Sequence, residues 1–452
     1  MQLKVNDFVK VEITDLGSSG EGVGKVDGFT IFVQGALPQE FVQAKVILSK
    51  SSYAVAQLVE ILKLSPQRVK PCCSIFDTCG GCQLQHLSYQ AQLVMKNKKV
   101  SDALKRIGHI ENVAVRETLG MSEPWYYRNK MLFAVGENNE GVALGCYAKA
   151  SHEVIDASVC LIQKNENNII LQVVREWLVK YRLSFYNEQT AKGLIRNLLG
   201  RVGPQSGQIL VGLVTSEKSV PFLPKLIQML KERVTGLTGI VQIVRSGKGN
   251  IVLAGEQYLL WGDSRIRGDI GDLSFNISAK SFFQVNSEQT QVLYKEALAM
   301  AGLQGGETVI EAYSGTGTIG LLFAKQAAKV YGLELSKEAV ADAKENALLN
   351  GCKNIEFIQG DVAYTLPNLL KTGIKADIIV VDPPRAGLAL KVVQTIAAAK
   401  PEKIIYISCN PASFARDAAI LAETYQLTGV QPVDMFPMTA HIESVAKFIK
   451  RK

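Results

Sequence analysis

Up to about Glu60, apolar and polar residues alternate in short runs broken by glycine. A period of two marks half-buried strands, and "VDGF" between two such runs is a hairpin turn. This stretch predicts a small antiparallel barrel of five strands. Strand-like runs continue from Ser65 to about Asp272, interrupted by "LSYQAQLVMKNKKVSDALKRIG". There the apolar residues recur at helical spacing and leave a basic face, read either as solvated or as facing RNA. From Ser278 onward strand and helix patterns alternate: "ETVIEAYSG", "TIGLLFAKQA", "KVYGLEL", "SKEAVADAKENALLNG", "IEFIQGD", "ADIIVVDPP" and "KIIYISCN". That order predicts a parallel sheet with right-handed crossovers, a doubly wound α/β domain. The expected division is 1–60, 61–272 and 273–452, with the helix near 87–108 able to pack on the last.

Composition narrows the classes. The chain has 452 residues, enough for two or three domains, and 20% of them are charged, an ordinary globular balance. The net charge of +8 permits nucleic acid as a partner without requiring it. The start "MQLKVNDFVK" reads as no signal peptide, and no apolar run approaches the length of a membrane span. A cytoplasmic protein with no membrane partner is expected. Small barrels of the N-terminal kind often bind single-stranded RNA, although a structural appendage fits the same pattern. "PWYYRNKMLFAV" sets Arg128 and Lys130 beside three aromatics, which suits base stacking and phosphate contact, or simply a strand core.

The candidate chemistry lies at strand ends. "EAYSGTGTIG" follows a strand and opens a helix, and Gly315, Gly317 and Gly320 let the backbone come close to a ligand. Glu334 ends the next strand, where a ribose hydroxyl is read. A nicotinamide cofactor and S-adenosylmethionine both fit so far. Asp361 at the end of the third strand and Asp382 in "VVDPPR" favour S-adenosylmethionine, and Pro383 restricts Asp382 to extended geometry. Cys409 stands between a strand and a helix N-terminus, which favours a thiolate; a small buried residue closing a strand is the plainer reading.

Of eight cysteines, three crowd into Cys73–Cys82. In a reducing compartment that suggests metal or catalysis before disulfides. Cys73, Cys79 and Cys82 give C-x5-C-x2-C, with Cys160 far downstream. This is close to plant-type ferredoxin spacing; zinc and no metal at all are the alternatives. Cys72 competes with Cys73, while Cys146 and Cys352 read as packing residues. His441 reads as structural.

Taken together, these motifs resemble bacterial uracil-5 RNA methyltransferases, of the type that makes 5-methyluridine in 23S ribosomal RNA. The likeness spans nearly the whole chain. "GEGVGKVDGFTIFVQGALPQE" is similar to the TRAM RNA-binding barrel, and "SFFQVN", "EAYSGTG", "VVDPPRAG", "ISCNP" and "HIESV" stand in the family's order. The resemblance implies a Rossmann-like catalytic domain preceded by a TRAM barrel and a strand-rich central domain. It implies Cys409 as nucleophile and Glu443 as general base. S-adenosylmethionine would meet Gln284, Tyr313, Gly315, Gly317, Thr318, Glu334, Asp361 and Asp382. Cys73, Cys79, Cys82 and Cys160 would hold a 4Fe-4S cluster. The three-domain layout points to the ribosomal RNA branch, because the transfer RNA branch usually lacks barrel and cluster. A transfer RNA uracil-5 enzyme and an RNA cytosine-5 enzyme are the alternatives; the latter usually has a second cysteine in the loop that here reads "DPPR". No obligate protein partner is implied.

Overall fold

A computed structural model of the chain describes residues 3–138, 141–149, 151–247, 249 and 251–451. Five strands close the N-terminal barrel: β1 (Phe8–Leu16), β2 (Gly22–Val26), β3 (Phe29–Gln34), β4 (Phe41–Ser49) and β5 (Tyr53–Lys63), in the order β1-β2-β3-β5-β4. Alternation aims Val11, Ile13, Ile31, Val33, Val42 and Val46 inward. The "VDGF" turn forms as its chemistry requires. Asp27 and Gly28 both take positive φ, and Val26 pairs with Phe29.

Helix α1 (Tyr89–Arg106) follows, then a six-stranded sheet. Its strands are β6 (Lys130–Asn138), β7 (Gly141–Gly145), β8 (Ile195–Val202), β9 (Ile209–Thr215), β10 (Leu237–Val244) and β11 (Glu256–Gly262), ordered β11-β10-β9-β8-β6-β7. Helices α2 (Asn165–Lys180) and α3 (Leu223–Arg233) pack there, with Trp177 fully buried in the shared core. A hairpin, β12 (Arg265–Ile270) with β13 (Leu273–Ser278), inserts Ile266, Phe275 and Ile277 into the core of the next sheet.

That sheet has seven strands: β14 (Thr308–Ala312), β15 (Lys329–Glu334), β16 (Ile355–Gln359), β17 (Ile378–Val381), β18 (Lys403–Ser408), β19 (Tyr425–Val433) and β20 (Glu443–Lys450). The order is β16-β15-β14-β17-β18-β20-β19, parallel except for β20. The helices are α4 (Ser287–Ala301), α5 (Thr318–Ala324), α6 (Lys337–Leu349), α7 (Val362–Lys371), α8 (Leu390–Ala399) and α9 (Pro411–Leu421). The sheet runs as near-continuous apolar strands because both faces are covered.

The basic face of α1 is neither simply solvated nor simply turned to RNA. The helix packs on α9, and Val100 and Leu104 join the catalytic core. Lys96 is buried and donates to Asp434 Oδ1 (2.6 Å) and the Phe436 carbonyl (3.1 Å). Lys98 bridges Asp15 and Asp102, and Lys99 donates to the carbonyls of Ser18 and Ala440. These lysines tie the barrel, the helix and the catalytic sheet together.

Candidate active site

The strand order reverses between β14 and β17, and open α/β sheets bind ligands at such a point, beyond the carboxyl ends of the strands. A cavity of about 1150 Å³ opens there. On one side it is walled by Gln284, Tyr313, Gly315, Thr318 and Glu334. Tyr313 leaves β14 with φ +67°, and Gly315 follows at +54°. A Cβ on Gly315 would meet nothing, so its backbone lies open to a guest. Glu334 accepts from Gly315 N–H (2.9 Å) and Ser336 N–H (2.8 Å). Each carboxylate oxygen keeps a second lone pair for a ligand hydroxyl. The Thr318 hydroxyl lies 3.2 Å from that of Tyr294.

Two expected positions stand behind the wall rather than on it. Gly317 caps α5 at φ +82°, and a Cβ there would strike the Phe357 ring at 2.7 Å. The Asp361 carboxylate caps α7 by accepting from Ala363 N–H at 2.8 Å. Conversely, the cavity exposes a residue absent from the sequence reading. Glu311 in β14 is buried and lines the cavity; no side chain pairs with its oxygens, and only the Gly320 backbone lies against them. Burial and the nearby Asp382 push its carboxyl well above the usual range. The signal was available: a lone acid inside the apolar run "TVIEA" costs too much without a purpose.

The opposite wall holds Cys409, Glu443 and Asp382. Ser408 on β18 pairs with Ser444 on antiparallel β20, so Cys409 and Glu443 stand opposite each other at the end of that ladder. Asn410 caps α9 through Ala412 N–H, and its amide donates to the Arg385 carbonyl (2.9 Å). The loop after Asp382 is thereby buckled to the cysteine turn.

The charge balance differs from the sequence expectation. Burial and the neighbouring Glu443 and Asp382 raise the Cys409 thiol to about 11, against the smaller pull of Arg385. Glu443 is raised to about 8 and Asp382 to about 7, both chiefly by burial. Three acids crowd one pocket, and the helix start does not by itself yield a thiolate. Arg385 and His441 also line the cavity, 3.3 Å apart. Burial and the surrounding cations lower His441 to about 4, so it is neutral and has a partner after all. Arg128 reaches the cavity from the central segment, whereas Lys130 is half-buried, and desolvation with the nearby Arg201 and Arg128 lowers it to about 7. Of the three aromatics beside them, Tyr127 is core.

The four ligand-candidate cysteines fold toward one apolar nook. Cys73, Cys82 and Cys160 share it with Phe76, Met121, Tyr127 and Ile162. Cys82 interacts electrostatically with Cys73, Cys79 and Cys160. The N–H of Gly81 donates to Cys79 Sγ at 3.4 Å. Among the described residues, however, no group of three or more Cys, His, Asp or Glu is gathered tightly enough to hold a metal ion. Cys79 is turned toward Cys146, which packs against the core of the six-stranded sheet as expected. Cys72 is exposed. The donors suit iron and sulfide in chemistry and neighbourhood; their sulfurs are not converged.

Comparison with known proteins names the family. The family described as tRNA (Uracil-5-)-methyltransferase matches residues 202–452, more than half of the chain. The chain belongs to the uracil-5 RNA methyltransferases. The TRAM domain matches residues 2–59, the barrel. An RNA methyltransferase of Clostridium acetobutylicum is 44% identical over 99% of this chain and 98% of its own. Another from Halalkalibacterium halodurans is 46% identical, covering 98% and 96%. The structure of Pyrococcus abyssi tRNA (uracil-54, C5)-methyltransferase with S-adenosyl-L-homocysteine is 27% identical, with a TM-score of 0.79, over 98% of this chain and all of that one. This uracil-5 methyltransferase is thus an S-adenosylmethionine-dependent enzyme acting on RNA. The Pyrococcus match corrects one expectation: a transfer RNA enzyme shares the full-length layout, so layout does not separate the two RNA branches. No helix among the described residues is long and apolar enough to cross a membrane.

Proposed function

We propose that this methyltransferase converts a uridine of 23S ribosomal RNA to 5-methyluridine through a transient bond between Cys409 and carbon 6 of the base. The observation that carries the reading is a thiol and a carboxylate on facing strand ends, over the cavity that suits the cofactor. Carbon 5 of uracil is a poor nucleophile. Addition of the Cys409 sulfur at carbon 6 pushes the ring electrons into an enolate, and carbon 5 then takes the methyl group from the sulfonium. S-adenosylhomocysteine leaves as a neutral thioether. Glu443 removes the proton from carbon 5, the double bond re-forms, and the thiolate departs.

Gln284, Tyr313, Gly315, Thr318, Glu334 and Asp382 are assigned to the cofactor, with Gly317 and Asp361 shaping the wall from behind. The sulfonium brings a positive charge beside Cys409, Glu443 and Asp382, and so favours their ionised forms. The uracil enters by flipping out of the RNA, at a cost of a few kcal/mol, recovered in part by phosphate contacts.

Cys73, Cys79, Cys82 and Cys160 are assigned to a 4Fe-4S cluster after a local convergence of their sulfurs. Such a cluster supplies cross-linking of distant loops, and methyl transfer needs no electrons from it.

The four-cysteine pattern supports ribosomal RNA, while the likeness to the Pyrococcus enzyme supports transfer RNA as the second reading. Mapping 5-methyluridine in both RNAs from cytoplasm of cells with and without the gene decides between them. Loss of a 23S mark is expected; loss confined to transfer RNA would reverse the assignment. With RNA containing 5-fluorouridine, wild-type enzyme should form an adduct stable to denaturation, because fluorine does not leave as a proton does. No adduct on a methylated sequence would remove the covalent mechanism.

A further inference from the structure

A second cavity of about 400 Å³ lies behind the first and shares Arg385, Cys409 and His441 with it. Its other walls are the β1–β2 loop of the barrel, the basic side of α1, and the start of α9. A flipped base in the main cavity leaves its sugar at this junction, and the chain must run on from there.

The charges around the second cavity are unbalanced. Five cationic side chains line it, Lys96, Lys98, Lys99, Arg106 and Arg385, against two carboxylates, Asp15 and Asp102. Lys96 is neutralised from behind by Asp434, Lys98 by both lining carboxylates, and Arg106 by Asp102. Lys99 and Arg385 appear in no ion pair among the described residues. Lys99 donates only to the carbonyls of Ser18 (2.9 Å) and Ala440 (2.8 Å), and Arg385 faces the neutral His441. Burial and Lys96, with a smaller part from Arg385, lower Lys99 to about 8 against the opposing pull of Glu21. Glu21 acts on Lys99 and Glu443 on Arg385 without closing an ion pair, so both cations keep donors for an anionic guest. The α9 N-terminus, beginning beside Cys409, adds its partial positive charge.

We infer that the second cavity is a subsite for the RNA nucleotide adjoining the target uridine, its phosphodiester lying against Lys99 and Arg385. The inference rests on the RNA methylation proposed above and specifies where the strand passes: between barrel and catalytic domain, along α1. Because Lys99 holds Ala440, three residues before Glu443, the same contact joins strand binding to the general base.

The test uses short single-stranded RNAs centred on the mapped uridine, with the phosphate on one or the other side replaced by neutral methylphosphonate. On wild-type enzyme, one of the two replacements should raise KM about tenfold and reduce the salt slope of binding by about 0.7. In a Lys99→Gln variant the same replacement should have little further effect, and Lys99→Arg should restore the response. The inference falls if neither replacement moves KM twofold, or if replacement and Lys99→Gln add independently. A wild-type enzyme that methylates no uridine would remove the underlying activity, and this subsite with it.

Discussion

The thiol proposed to attack is raised by its own surroundings. Burial raises Cys409, Glu443 and Asp382 alike; the charge of Asp382 adds to the rise of Glu443, and those of Glu443 and Asp382 to that of Cys409. A carboxylate raised in the folded state binds its proton more tightly there than in the unfolded chain. Its contribution to stability is therefore complete below the unfolded value near 4 and fades as pH rises toward 7 and 8. Thermal stability should fall across that window, and less steeply for Glu443→Gln. At pH 8 this variant should gain on the order of a few kcal/mol, read from denaturant midpoints at two pH values. The same variant should lose about 10²–10⁴-fold in turnover while accumulating RNA adduct on denaturing gels. Cys409→Ser should form no adduct and methylate at background. A serine enzyme near the native rate would end the covalent mechanism. Glu311, buried and likewise raised well above the carboxylate range, makes a parallel case: Glu311→Gln should be stabilised at pH 8, and isothermal titration should show weakened S-adenosylmethionine binding.

At the scale of elements, one helix holds the segment that leads to Glu443, the proposed base. Tyr89, Gln92, Lys96 and Lys99 share a face of α1 at helical spacing. They contact Asp434, Met438, Phe436 and Ala440 on the run between β19 and β20. That run ends at Glu443. Lys96→Met would strand the Asp434 carboxylate in the core and should cost about 3–5 kcal/mol. Adding Asp434→Asn should recover most of it, because no buried charge then lacks a partner. Chemical denaturation measures both, and a single variant as stable as wild type would disprove the clasp. The pattern along the chain predicted that α1 exists and packs on the catalytic domain. Its lysines looked like a surface because nothing in local spacing reveals Asp434, which lies 338 positions away.

Over the whole molecule, the cysteine loops brace the substrate side of the cavity. The segment after Cys160 runs beside the aromatic strand, with Tyr126 and Arg128 N–H groups donating to the carbonyls of Leu161 and Ile162 (both 2.8 Å). Arg128 reaches the active-site cavity from there. Changing the proposed cluster ligand with Cys79→Ala should raise KM for RNA while leaving S-adenosylhomocysteine affinity nearly unchanged, since the cofactor wall lies on β14 and β15. Iron and acid-labile sulfide assays on anaerobically purified protein should show both in the wild type and neither in the variant. A wild-type protein free of iron and fully active would refute the cluster assignment.

The alternation of the barrel, the two-residue turn and the strand–helix repeat were legible because short-range sterics and hydrophobic period act locally. So were Cys409 and Glu334, which must follow particular strands to reach the switch point. The approach of Glu443 to Cys409 depends on β20 running antiparallel between β18 and β19, a pairing that local pattern suggests but register alone decides. Tertiary structure also decided the protonation balance of the site, the burial of Glu311, and the contact between the free thiols of Cys79 and Cys146. These arise from desolvation and from groups brought together across hundreds of residues, and such energies leave no local mark in the order of the amino acids.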